Sequence, residues 1–192
     1  MKLSILFTCT FLSTTLLTKE TPSPVNNPVN FKKTELKPSK RAILPVGRIS
    51  IVIDKSDYEL SIYDDKGWFA TYPCVFGNSS LDDKKMEGDR QTPEGVFHIL
   101  SKRVHDKWDR FMALDYPTKE SYDKFNQRKE RGEIPSDARI GGSIGIHGTW
   151  PHDDYIIDQY KNWTMGCISL KNIDVEEIYS YVQPGTKVTI RK

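Results

Sequence analysis

Apolar residues recur at every second position from Arg48 onward, and this alternation restricts the chain to β-strands. Residues 49–53 and 58–62 each alternate isoleucine, leucine or tyrosine with polar or smaller residues. A turn sequence, Asp-Asp-Lys-Gly at 64–67, precedes a third apolar segment at 68–76. Because successive side chains on a strand point to opposite faces, this period predicts a β-meander with one buried face.

The remainder of the domain combines short apolar runs with two helical segments. Further strands are expected at 96–100, 110–116, 143–147, 166–170 and 186–191. A polar helix is expected from a Thr118 N-cap to Arg131, with Gly132 just past its end and Tyr122 and Phe125 as its apolar anchors. The fold class predicted is therefore mainly β.

A second helix is expected near the end of the chain. Asn172 is in the position of an N-cap, and Pro184-Gly185 ends the segment. Ile173, Ile178 and Val182 are spaced to face the core.

The first 45 residues differ in composition from the rest of the chain. Lys2 precedes a run at 3–17 that is apolar or hydroxylated and carries no charge, so residues 1–18 are expected to be an export signal or a short anchor. Residues 19–45 are rich in Pro, Lys and Asn and are expected to be a disordered linker. The folded domain is then 46–192, exported to the periplasm or cell envelope.

The overall charge and motif content exclude several classes of function. The 192 residues carry a formal net charge of only +2, and the lysines are spread along the chain, so nucleic-acid binding is not expected. The four histidines do not lie at metal-ligand spacings with the cysteines, and no glycine-rich phosphate loop is present. We therefore expect no metal and no cofactor. The protein is also expected to be a monomer.

The three cysteines have different expected roles. Cys9 lies in the signal segment, and Cys74 is interpreted as a buried strand residue. A Cys74–Cys167 disulfide is the alternative, but it would consume the reactive thiol of Cys167.

The stretch from His147 to Leu170 carries the chemistry. His147 precedes Gly148, and Cys167 follows Gly166, each at the end of a short apolar run. An imidazole that takes the thiol proton converts a cysteine into a nucleophile. Gly166 would let the backbone approach a substrate carbonyl, and the N–H groups around Cys167 would then face the oxyanion.

Three motifs in this order resemble the L,D-transpeptidase (YkuD-type) catalytic domain. They are His147-Gly148, the sequence Thr-Met-Gly-Cys-Ile-Ser-Leu at 164–170, and an upstream block at 87–97 that contains Thr-Pro-Glu-Gly. The resemblance covers about residues 48 to 192. It implies a β-sandwich or barrel-like domain with two or so flanking helices.

The resemblance also implies a reaction on peptidoglycan stem peptides. Cys167 would attack the carbonyl at the L-centre of a diamino acid, with His147 as proton acceptor and then donor, and D-alanine would leave. An amine of a second stem as acceptor would give a cross-link. Water would make the site a carboxypeptidase or hydrolase, and the lysine of a wall-attached protein would make it an attachment enzyme. A non-catalytic wall-binding domain is the remaining alternative.

Further site residues are implied by the same resemblance. The candidates for oxyanion or substrate binding are Gly166, Gly148, Thr164, Ser169, Tyr116 and Trp163. Many family members have His where this chain has Met165 and Arg where it has Ser169, so substrate anchoring is the function that these departures affect most. Lys171 could supply a positive charge in place of that arginine, but a solvated surface lysine is the interpretation that the sequence favours. The Thr-Pro-Glu-Gly turn at 92–95 is expected to be structural.

Overall fold

The alternating segments form a three-stranded antiparallel meander in the computed structural model, which describes residues 44–192. Its strands are β1 (Ser50–Asp54), β2 (Glu59–Asp64) and β3 (Gly67–Pro73). Both isoleucines of β1 and both buried residues of β2 are fully inaccessible, as the period of two requires. The predicted meander is confirmed, although its third strand ends at Pro73.

Five further strands extend the meander into one curled sheet. They are β4 (Gly95–His105), β5 (Asp109–Leu114), β6 (Gly145–His147), β7 (Ile168–Ser169) and β8 (Lys187–Arg191). The order across the sheet is β3-β2-β1-β8-β4-β5-β6-β7. The pairs β1–β8 and β6–β7 are parallel and the others are antiparallel. The mainly β fold predicted from the sequence is confirmed.

A bulge divides β4 into two halves. Residues 95–98 pair with β8, whereas the half from Ile99 onward pairs with β5. Ile99 lies opposite Leu114 and Ser101 opposite Ala113, so Leu100 is an extra residue without a partner. Such a residue shifts the alternation by one position, and the second half of β4 therefore reverses which side chains face the core.

The reversal gives the second face of the sheet a row of side chains from four strands. Arg103 on β4 lies opposite Phe111 on β5, Phe111 opposite His147 on β6, and His147 opposite Ser169 on β7. Their neighbours on the other face, among them Met112, belong to the hydrophobic core. The sheet therefore brings together four residues that lie far apart in sequence.

Three helices flank the sheet: α1 (Lys119–Glu130), α2 (Tyr155–Asp158) and α3 (Asn172–Tyr181). The Thr118 side chain accepts a hydrogen bond from Ser121 N, which confirms the predicted cap of α1. Phe125 is buried as expected, but Tyr122 is exposed and does not anchor the helix. The four-residue α2 was not predicted.

The face of α3 differs from the prediction. Ile173 is 69% exposed, whereas Val175, Ile178 and Val182 are fully buried. The N-cap residue is Lys171, because the Asn172 side chain accepts a hydrogen bond from Thr149 N instead of capping the helix. Asn172 thus ties α3 to the segment after His147.

A buried ion pair anchors the segment between β3 and β4. Lys55 is 1% exposed, and its Nζ lies 2.6 Å from a carboxylate oxygen of Glu94. The same ammonium donates to the carbonyls of Leu81 and Asp82. The turn that carries Glu94 therefore has the structural role that the sequence suggested.

The expected signal at 1–18 and the linker at 19–45 lie outside the described residues, apart from the last two positions of the linker. Within 44–192, no helix is long and apolar enough to cross a membrane.

Candidate active site

The two parallel strands β6 and β7 bring His147 and Cys167 to one cavity. His147 ends β6, and Cys167 lies immediately before β7. The cavity has a volume of about 340 Å³. It is lined by Arg103, Trp108, Phe111, Gly142, Ser143, Ile144, His147, Trp163, Thr164, Met165 and Cys167.

A backbone carbonyl orients the imidazole of His147. Its Nδ1 lies 2.7 Å from the oxygen of Gly148. A carbonyl oxygen only accepts, so Nδ1 carries the proton and Nε2 has the free lone pair. This is the tautomer that can take a proton from a thiol.

Aromatic rings enclose the same imidazole. Trp108 stacks on it at 4.7 Å between ring centroids, and Phe111 lies nearly parallel to it at 5.9 Å. Trp163 meets it edge-on at 5.6 Å. Burial lowers the pKa of His147 to about 4, with a smaller lowering from His105, and the hydrogen bond to Gly148 opposes the shift only in part. The imidazole is therefore neutral at neutral pH.

The thiol of Cys167 is partly exposed to the cavity. Its Sγ donates to the carbonyl of Ser143 at 3.5 Å. Burial raises the pKa of Cys167, although a backbone hydrogen bond from Gly145 and the charge of Lys84 act in the opposite direction. The resting pair consists of a neutral thiol and a neutral imidazole.

Gly166 and Thr164 close the turn before Cys167. The hydroxyl of Thr164 donates to Cys167 O at 2.8 Å and accepts from Gly166 N at 3.1 Å. The N–H of Gly166 is thus already bonded, whereas that of Cys167 has no acceptor within residues 44–192. Gly166 has φ +120°, and a Cβ there would lie 2.7 Å from Gln91 O, so glycine is required.

Gly148 and Ser169 lie behind the imidazole and do not line the cavity. The Ser169 hydroxyl donates to Gly148 O at 3.2 Å, and that oxygen also binds His147. Both residues therefore position His147. Trp163, by contrast, lines the cavity as well as enclosing His147.

Two residues considered for substrate binding lie elsewhere. Tyr116 packs edge-on against Phe97, donates to Ile140 O, and lines a separate small cavity beside α1. Lys171 forms an ion pair with Asp158 and does not line the cavity of Cys167. Lys171 therefore does not replace the missing arginine.

Sequence reasoning missed Arg103, Trp108, Phe111 and Ser143. Trp108 lies in the turn between β4 and β5, and its carbonyl accepts from Gly148 N at 3.0 Å. Strand pairing brings Arg103 and Phe111 to the cavity. Trp108 reaches His147 from the turn, and Ser143 contacts Cys167. The one signal in the sequence for these residues is a tryptophan, Trp108, in the short turn after the strand that carries Arg103.

Neither described cysteine is in a disulfide. Cys74 is fully buried just beyond β3, and burial raises the pKa of its thiol. Residues 44–192 contain no group of three or more His, Cys, Asp or Glu side chains arranged to hold a metal ion.

Several solved structures share this fold. The helical cell shape determining protein Pgp2 of Campylobacter jejuni is 23% identical and superposes with a TM-score of 0.55, covering 76% of this chain and 48% of its own. Bd1075 of Bdellovibrio bacteriovorus is 19% identical with a TM-score of 0.50, covering 75% and 47%. The Ldtfm–avibactam carbamoyl enzyme is 18% identical with a TM-score of 0.50, covering 77% and 50%.

This chain spans about half the length of those structures. No curated protein matches its sequence. The sequence model of the YkuD family, described as the L,D-transpeptidase catalytic domain, matches residues 48–190. The chain belongs to the YkuD family of L,D-transpeptidase catalytic domains.

Proposed function

We propose that this domain is a cysteine acyltransferase that acts on peptidoglycan stem peptides. One arrangement carries the proposal: His147 and Cys167 line the same cavity, and the Nδ1 of His147 donates to Gly148 O. The Nε2 of His147 is therefore left as the basic nitrogen. A neutral base and a thiol that line one largely aromatic cavity are the groups that acyl transfer requires.

The first half of the reaction releases D-alanine. As the Cys167 sulfur bonds to the carbonyl carbon of the diamino acid, the thiol proton moves to Nε2 of His147. The free N–H of Cys167 donates to the oxygen that becomes negative. The imidazolium then returns the proton to the amine of D-alanine, the C–N bond breaks, and a thioester on Cys167 remains.

The second half depends on the acceptor. The amine of a second stem gives a cross-link, and water gives a shortened stem; either regenerates the thiol. We favour the amine, in keeping with the family, with a role in wall cross-linking or remodelling in the cell envelope. Pgp2 of C. jejuni, a protein of related fold, determines helical cell shape, which is consistent with a role in wall remodelling here.

The test is product analysis with tetrapeptide-containing muropeptides. The full chain and its Cys167→Ser variant are incubated with this substrate, and the products are weighed by mass spectrometry. We expect a dimer that has lost one D-alanine, and no product from the variant. Tripeptide monomers alone would assign the site to a carboxypeptidase. Unchanged substrate with reduced Cys167 would contradict catalysis and favour wall binding.

A further inference from the structure

Arg103 is the one permanently charged side chain among the residues that line the cavity of Cys167. It lies in the second half of β4, directly across from Phe111, and its guanidinium carbon is 4.7 Å from the centroid of that ring. Phe111 in turn lies across from His147. The guanidinium is therefore held over an aromatic ring in the same row as the catalytic base.

Arg103 has no anionic partner within residues 44–192. Five other arginines in this part of the chain form ion pairs with carboxylates: Arg110, Arg128, Arg131, Arg139 and Arg191. The other side chains around the cavity are aromatic, apolar or uncharged, and His147 is neutral. The cavity thus presents one unpaired cation to a ligand.

A guanidinium in these surroundings is a receptor for a carboxylate. Its planar fork donates two parallel N–H bonds to the two carboxylate oxygens, and the aromatic ring beneath it fixes its plane. The Arg103 side chain is itself exposed, so the attraction is screened by solvent and decreases with salt.

We propose that Arg103 binds a carboxylate of the acyl donor and makes the cavity selective for acidic over amidated stem peptides. This inference rests on the proposed function. The donor has two such groups: the terminal carboxylate of D-alanine and the second carboxylate of the diamino acid. Arg103 is two strands away from His147 in register, a backbone separation of roughly 10 Å. An extended peptide needs about three residues to span that length, so the long Arg103 side chain has to cover part of the distance to a carboxylate one residue from the reacting carbonyl.

A first test requires no peptide donor. The alkylation rate of Cys167 is measured with iodoacetate, which is anionic, and with iodoacetamide, which is neutral and similar in size. Peptide mass spectrometry identifies the labelled cysteine. Changes in thiol pKa affect both reagents equally, so the ratio of the two rates reports the local attraction for a carboxylate.

We expect Arg103→Met to lower the iodoacetate-to-iodoacetamide ratio about 5-fold at low salt, because the nearby positive charge is lost. Arg103→Lys should retain part of the preference. Arg131→Met removes the same charge from a side chain that does not line this cavity, and it should leave the ratio unchanged. An unchanged ratio in Arg103→Met would overturn the proposal.

The second test identifies the carboxylate. Three donors are compared: the free acid, one amidated at the terminal D-alanine, and one amidated at the diamino acid. Arg103→Met should raise KM for the free acid about 10-fold to 100-fold with little change in kcat. One of the two amidated donors lacks the carboxylate that Arg103 binds. For that donor, Arg103→Met and the wild type should have the same KM.

Equal losses on all three donors would indicate general damage and would also overturn the assignment. If the wild type turns over none of the donors, the proposed reaction fails. The alkylation ratio then decides separately whether Arg103 attracts a carboxylate to the cavity.

Discussion

The Nδ1 nitrogen of His147 lies 2.7 Å from the carbonyl oxygen of Gly148, the next residue in the chain. The backbone next to His147 thus fixes the tautomer of its imidazole. The Ser169 hydroxyl donates to the same Gly148 oxygen and helps to hold that carbonyl in place. A carbonyl stabilises an imidazolium less than a carboxylate does. The hydrogen bond therefore orients the imidazole without raising its pKa above the usual value for histidine. The imidazole remains an unprotonated base at neutral pH.

The low pKa of His147 predicts a loss of stability in mild acid. Between about pH 6.5 and about pH 4, the unfolded chain binds a proton at this position that the native state excludes, so falling pH favours unfolding. The wild type should lose about 3 kcal/mol more than a His147→Phe variant across this window. Chemical denaturation of both proteins at several pH values measures the difference, and parallel curves would contradict the pKa shift.

Turnover should depend on His147 and Cys167 and not on the exposed His152. His147→Ala is expected to lower kcat by about 100-fold to 10,000-fold, the usual contribution of a general base. Cys167→Ala should abolish turnover. His152→Ala is the matched control, because His152 is exposed and does not line the cavity. Circular dichroism verifies folding, and residual turnover in Cys167→Ala would exclude it as the nucleophile.

A methyl group at Gly166 should damage the site directly. Gly166→Ala combines a φ of +120° with a contact of 2.7 Å to Gln91 O, and we expect a cost of about 3 kcal/mol and loss of turnover. Gly132 also has positive φ, +72°, but its Cβ would meet nothing within 4 Å. Gly132→Ala should therefore cost only about 1 kcal/mol and keep activity. Equal stabilities, measured by urea unfolding, would argue against the close contact.

The buried ammonium of Lys55 is expected to stabilise the segment that supports Gly166. Lys55→Met leaves Glu94 and two carbonyls without their donor and should cost about 3 kcal/mol. Lys119→Met, which breaks an exposed surface pair with Asp123, should have a much smaller effect on stability. Thermal unfolding compares the two variants. Similar small losses would show that the buried pair contributes no more than the exposed one.

The sequence allowed the β-meander and the mainly β fold class to be predicted, because both depend on local spacing. The period of two in β1 and β2 is a direct consequence of burial on one face. His147 and Cys167 were identified from their glycine neighbours and from the order of three motifs.

The rest of the site depends on long-range pairing that a linear pattern does not contain. Arg103 and Phe111 reach His147 across three strands, and a bulge decides their face. Ile173 was misassigned because five positions separate it from Ile178, which places the two on different faces of a helix; Val175, at a spacing of three, is the buried residue instead. Tyr116 contacts Phe97 and lies outside the cavity of Cys167 because its strand ends before it.

The extra residue in β4 has a consequence for how the strand could change in length. Lys102 and Arg103 are adjacent cations on opposite faces; Lys102 donates to the carbonyls of Tyr179 and Val182 at the end of α3, while Arg103 lines the cavity. Deleting Leu100 would leave Ile99 opposite Leu114 and Ser101 opposite Ala113 as consecutive regular pairs, so Lys102 and Arg103 would keep their faces. The bulge is therefore the place where this strand can lose one residue while the guanidinium stays in the cavity.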